Sequence, residues 1–381
     1  MPQLHVTRRF RLVSCLIATA VIAACGGGKD SADTSGPMAV SAGAVTSAPA
    51  TTPVGTTASG TAAPSAADAT AANTVAFDAR LIPPRTNGVA SQQFKWTGQV
   101  GWATDIGAFR ILCDFSHMAT DDPIVYPNQP GKSHLHTFFG NTGANAYSTA
   151  DSIANAGSST CRGGTANRSA YWVPALVDTA NGTPLKPRTL IVYYKQGYHI
   201  QDARLIGPVP MGLKMVAGSA MNKVDVHAAS PWAGSPYTWR CVSIAQGIPV
   251  AEGQQIPNCA VGTELWMSVT FPQCWDGTNL NSPDHKSHMS YPVNGACPYT
   301  HPKALPEISF HVVYPVPAAD ASLKWRLSSD MYDESIPGGR SAHADYDMAW
   351  QKDIIDAAVR NCVAARKDCR GDLLGDGRTL Y

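Results

Sequence analysis

Between Glu307 and Tyr314 the chain alternates strictly: Ile308, Phe310, Val312 and Tyr314 point one way, Glu307, Ser309 and His311 the other. A period of two marks a strand with one buried face. Runs of similar character at 109–113, 171–177, 189–195, 237–243, 264–271 and 323–327 are separated by prolines and glycines. This spacing predicts a mainly β protein, a β-sandwich or jelly-roll-like single domain. A helical period occurs once: Met348, Ile355, Val359 and Cys362 predict a C-terminal helix over about 346–366 that packs across the sheet.

Composition agrees with this pattern and adds a domain plan. Charged residues make up 15%, against about 25% in ordinary soluble domains, while Gly (33) and Pro (28) are abundant, so a helical bundle or coiled coil is excluded. Residues 1–24 read as a lipoprotein signal peptide: Arg8, Arg9 and Arg11, an apolar stretch too short to span a bilayer, then Ile22, Ala23 and Ala24 before Cys25. The motif resembles bacterial lipoprotein signals, which implies lipidation of Cys25 and an outer-membrane lipoprotein facing the periplasm or the surface. An ordinary signal peptide or an uncleaved anchor would also give an exported domain. From Gly26 to Thr74, 40 of 49 residues are Ala, Gly, Ser, Thr or Pro and none is aromatic, so 25–74 is expected to be a lipid-anchored flexible tether and 75–381 the globular β-rich domain. The formal charge of +1 becomes −2 without the three signal arginines, which leaves no basic surplus for nucleic acid.

Eight cysteines remain in the expected domain: Cys113, Cys161, Cys241, Cys259, Cys274, Cys297, Cys362 and Cys369. An even count in an exported chain predicts that disulfides staple the domain. About 105 pairings are open, and proximity favours Cys113 with Cys161, Cys241 with Cys259, Cys274 with Cys297, and Cys362 with Cys369. A zinc site of Cys274, His285, His288 and Cys297 is the rival for two of them.

The candidate chemistry lies in histidines set in short polar motifs. His134 and His136 share one face if their segment is a strand, and Asp284, His285 and His288 fall within five residues. His301 precedes Pro302, His311 lies on the polar side of its strand, and His343 stands two residues before Asp345. Imidazoles carry protons near neutral pH, and an adjacent carboxylate, here Asp284 or Asp345, would fix the tautomer. Lys195, in the run Tyr193, Tyr194, Lys195, Gln196, Gly197, is a candidate charge partner, although a strand lysine also serves simply to cover apolar surface. A divalent metal, held by His134, His136 and His288, is the cofactor that such a cluster would accept.

Several of these motifs form an ordered series: Asp122 to Val125, Ser133 to Gly140, Thr160 and Cys161, Ser169 to Leu176, Phe271 to Asp276, Ser287 to Pro292, Cys297 and Pro298, and Leu305 to His311. The series resembles an exported domain-of-unknown-function family of bacteria and fungi, in which fungal members often accompany cell-wall-stress-component (WSC) carbohydrate-binding modules. The resemblance covers roughly 100–350 and implies a glycan setting, with no activity attached.

Other chemistries are tested by what is missing. Gly131, Lys132 and Ser133 imitate the end of a phosphate-binding loop, but the earlier glycine it needs is Tyr126. There is no G-x-S-x-G elbow and no H-E-x-x-H helix. Tyr171, Trp172, Trp232, Trp239, Trp266, Trp275 and Trp325 are candidate stacking platforms for sugars, Trp232 and Trp275 having the most turn-like contexts. The expected function is action on cell-envelope or extracellular polysaccharide by a hydrolase or lyase with a histidine-rich cleft. The alternative is a glycan-binding or envelope scaffold protein that makes no covalent change.

Overall fold

The alternating runs assemble into two β layers in the computed structural model, which describes residues 75–197, 199–220, 235–331 and 335–381. The expected signal segment, Cys25, the expected tether and Trp232 lie outside these residues. One layer has eight strands in the order Pro249–Gly253, Tyr237–Ser243, Thr263–Thr270, Glu307–Pro315, Thr189–Lys195, Ala108–Cys113, Lys367–Asp368 and Trp102–Ala103. The other has five, in the order Lys214–Gly218, His343–Asp347, Ala170–Pro174, His136–Gly140 and Phe115–Ala119, all antiparallel.

The core lies between the layers and follows the predicted alternation. Ile308, Phe310, Val312 and Tyr314 meet Tyr171, Val173, Ala344 and Tyr346 from the five-stranded sheet. Tyr171 stands edge-on to Phe310 with ring centroids 5.4 Å apart, a favoured aromatic geometry. Its hydroxyl lies 3.0 Å from that of Tyr194, which also accepts from Trp350 Nε1. These buried hydroxyls therefore keep hydrogen-bond partners inside the core.

All four sequential cysteine pairs are disulfides. Cys274 and Cys297 close the loop that carries Asp284, His285 and His288, so their sulfurs are not available as zinc ligands. The C-terminal helix is present but shorter than expected. Tyr346 belongs to the strand His343–Asp347, and the helix Lys352–Ala358 continues only through a π-helical turn, Val359–Val363. Pairing on both sides, with Ala170–Pro174 and with Lys214–Gly218, holds residues 343–347 extended against their helical spacing. The run 171–177 is likewise split at Ala175, whose N–H donates to Leu135 and whose carbonyl accepts from Ser328.

Candidate functional site

The five-stranded sheet turns its second face away from the main core, and its register gathers a closely packed pocket of buried polar side chains there. Phe138 pairs with Trp172, which pairs with Asp345, while His136 pairs with Pro174 one step further along. His343 lies two residues before Asp345 on the same strand, hence on the same face. His134 precedes the strand His136–Gly140, and Leu135 points the other way into a small cluster with Phe115 and Met118. Across from His343 stands Gly218, at φ +83°, where an added Cβ would lie 2.8 Å from the His343 Cα. Only glycine fits this approach.

Three imidazoles meet in the pocket. Ring centroids are 4.2 Å apart for His134 and His136, 5.0 Å for His134 and His343, and 5.8 Å for His136 and His343. One ligand-type atom from each lies within 4.8 Å of the others, and the same holds for a second set, Asp122, His136 and Asp345. His136 Nδ1 lies 2.9 Å from the Asp121 carbonyl and His343 Nδ1 2.7 Å from the Ser341 carbonyl. A carbonyl can only accept, so each Nδ1 carries the proton and each Nε2 presents a lone pair. His134 Nε2, His136 Nε2 and both carboxylate oxygens of Asp345 are buried with no hydrogen-bond partner among the described residues.

Burial sets the protonation states. It lowers the His136 pKa to about 4 and the His343 pKa to about 3, and it holds His134 well below the usual imidazole value, with His136 and His343 adding to the effect. All three are neutral at pH 7. Burial, then the neighbouring Asp122, pushes the Asp345 carboxyl far up, and burial raises Asp122 as well. One Asp122 oxygen is committed to the backbone N–H groups of Ile124 and Val125, both at 2.9 Å.

Two acidic side chains from outside the ligand sets brace this arrangement. Asp121 accepts from Gly131 N and Ala146 N, which closes the loop whose carbonyl orients His136. Asp330 accepts from Leu327 N, Gly339 N, Ser341 N and Ser341 Oγ, at 2.6 to 3.0 Å, and so fixes the carbonyl that orients His343. Two residues away, Ser328 Oγ donates to Leu135 O, between His134 and His136. The segment 327–330 thus ties both histidine-bearing segments together.

The other sequence candidates stand elsewhere. His288 has both ring nitrogens engaged, by Ser282 Oγ at 2.9 Å and the Lys214 carbonyl at 2.7 Å, and it does not join His134 and His136 in a ligand set; His343 stands there instead. Asp284 orients no imidazole: one of its oxygens accepts from Ser282 Oγ, Lys286 N, and Ser287 N and Oγ, so that it shapes the turn. Nor does Asp345 orient an imidazole, since backbone carbonyls do that work. His285, half-buried at φ +61°, is bonded to Asn281 but lies near enough to Asp122 for their charges to interact. Lys286, from the same turn, donates to the Gly218 carbonyl at 2.6 Å and partly counters the upward shift of Asp345. His301 bonds Thr300 and the Ser287 carbonyl, bracing the turn from behind.

His311 and Lys195 belong to the eight-stranded sheet. His311 is bonded to Ser268 and Ser309 and flanked by Tyr193 and Trp266, while Lys195 pairs with Glu307 at 3.0 Å. His311 thus lies on a different sheet from His136 and joins neither ligand set with it. Among the aromatic candidates, Tyr171, Trp172, Trp239 and Trp325 are core residues and Trp266 and Trp275 are half-buried. Among the described residues the exposed indoles are instead Trp96, at 74%, and Trp102, at 54%.

Sequence reasoning passed over Asp121, Asp122 and Asp330 as site residues. Asp121 and Asp122 were legible as an acidic pair before Pro123, within the ordered motif series; Asp330 carries no local signal.

No helix among the described residues is long and apolar enough to cross a membrane. No curated protein and no solved structure matches the chain. A family match does exist, and it spans residues 122–350, from the Asp122 of the pocket through His134, His136, His343 and Asp345 to Trp350. The matched segment is more than half of the chain, and the protein belongs to the family described as domain of unknown function DUF1996.

Proposed function

We propose that this is an exported lipoprotein that acts on cell-envelope or extracellular polysaccharide, and that the pocket on the five-stranded sheet is its reactive centre. The observation that carries the reading is the convergence of His134, His136, His343, Asp122 and Asp345, with ligand-type atoms of each set within 4.8 Å of one another. Buried groups with displaced pKa values and facing lone pairs suit bond cleavage, which needs one group to withdraw charge from the leaving oxygen and another to take or give a proton. His285 and Lys286 stand at the pocket as the mobile-proton and positive-charge groups that hydrolysis or elimination would use. The exported character rests on the segment ending at Cys25 and on the four disulfides.

A second reading, glycan binding without cleavage, is favoured by exposed Trp96 and Trp102, flat apolar surfaces of the kind that stack on sugar rings. A panel of envelope and extracellular polysaccharides separates the two. Cleavage by the wild type, falling about 10²- to 10⁴-fold in His136→Ala but unchanged in His311→Gln, is the expected result. Binding without products, lost in Trp96→Ala and retained in His136→Ala, would replace cleavage by the second reading.

A further inference from the structure

We infer that the pocket is a mononuclear transition-metal site, in which Nε2 atoms of His134, His136 and His343 hold a divalent ion and the carboxylates of Asp345 and Asp122 complete its shell. The inference goes beyond the polysaccharide reading and does not depend on it, since it concerns what the centre binds rather than what it cleaves.

The pocket holds more acceptors than donors. His136 and His343 have given their only N–H to backbone carbonyls, so both offer acceptors to the pocket. Asp345 adds two oxygens without partners, and Asp122 adds the oxygen not used by Ile124 and Val125. Against these, the group itself has at most one N–H from His134 and whatever protons the two carboxyls retain, fewer than the acceptors, and no hydrogen bond joins His134 Nε2, His136 Nε2 or either Asp345 oxygen to another described residue. Acceptors facing acceptors cannot satisfy each other, and buried polar groups are ordinarily satisfied. A cation answers all of them at once.

The outer contacts point the same way. A ring N–H given to a backbone carbonyl, with the opposite nitrogen aimed inward, is the usual second contact of a metal-bound histidine, and it occurs here twice, from carbonyls that are themselves braced by Asp121 and Asp330. His136 and Asp345 are completely buried, so these donors are not surface groups that water would serve equally well. The two ligand sets share His136, and one imidazole nitrogen carries one ion, so they describe one centre rather than two. Three imidazoles with carboxylates suit zinc and its first-row neighbours, whereas calcium and magnesium prefer all-oxygen shells.

The test is metal binding to the exported protein after chelation and dialysis, read by calorimetry and by metal content, with Zn²⁺ as the probe. About one equivalent is expected, with at least a ~100-fold loss of affinity in both His136→Ala and His343→Ala and no change in His311→Gln. Melting curves in chelator establish that each variant is folded. Should the alanine variants fail to fold, the visible spectrum of the Co²⁺-loaded wild type decides through its nitrogen-ligand signature. Less than half an equivalent bound to the wild type would overturn the inference. So would affinity unchanged in both pocket variants, or Ca²⁺ competing equally with Zn²⁺. Stoichiometric binding without polysaccharide turnover would leave the metal site standing and sink the functional reading alone.

Discussion

The pocket on the five-stranded sheet and the turn at 282–288 both hold histidines beside an aspartate, yet their hydrogen bonding is opposite. In the turn, Ser282 and the Lys214 carbonyl occupy both nitrogens of His288, and Asp284 spends one oxygen on four donors. In the pocket, His134 Nε2, His136 Nε2 and both Asp345 oxygens have no partner among the described residues. Identical residue types are therefore hydrogen-bonded into the fold in one region and left unsatisfied in the other. What separates them is whether each polar atom is already satisfied, because a satisfied buried imidazole contributes to folding whereas an unsatisfied one opposes it.

The largest effect that would sharpen this contrast is expected at Asp330. Asp330→Ala leaves the buried N–H groups of Leu327, Gly339 and Ser341 without their acceptor, and a loss of roughly 3–5 kcal/mol in denaturant unfolding should follow. A loss below about 1 kcal/mol would show that the brace behind His343 is unimportant.

A smaller effect is expected from pH at His311, the structural histidine on the other sheet. Burial, with Lys195 and Arg240 nearby, lowers its pKa to about 3. At pH above the ordinary imidazole value of about 6.5, it is neutral folded and unfolded, and its contribution is fully present. Below that, the unfolded chain takes up a proton that the folded protein refuses until about pH 3, so stability falls through this window. His311→Gln should therefore flatten the acid limb of the stability curve, by about 1–2 kcal/mol at pH 5. An unchanged limb in the variant would mean that His311 titrates normally and is not held as a satisfied core group.

The smallest effect has the opposite sign. Asp345→Asn removes a carboxyl whose ionisation burial opposes in the folded protein but not in the unfolded chain, so the metal-free protein at pH 7 should gain up to about 1 kcal/mol. A clear loss of stability in thermal melts with chelator present would place Asp345 among the structural residues and erase the contrast with Asp284.

Several strands were legible because they carry their own period, whereas the expected strand 323–327 is extended only over Trp325–Leu327, after a 3-10 turn at Ala321–Lys324. Residues 189–195 and 237–243 fold over the expected spans, and 307–314 is extended by one residue. Neighbouring cysteines paired as proximity suggested, since short separations already bring the thiols together in the unfolded chain. The helix start was misread because the 343–347 segment obeys its two neighbouring strands rather than its own spacing.

For the site, sequence alone supplied His134 and His136 as a pair, because alternate residues next to a strand share a face whatever the fold. It also named His343 and Asp345, but among several equivalents. Only the sheet order put His343 near His136 rather than His288, with Pro174 and Trp172 on the intervening strand, and only the loop closures by Asp121 and Asp330 fixed which nitrogen each ring turns inward. Side-chain identity and local period are properties of a few consecutive residues. Whether a buried polar atom finds a partner depends on segments some 200 residues apart in the chain, as with Leu135 and Ser328, and is decided when the layers pack.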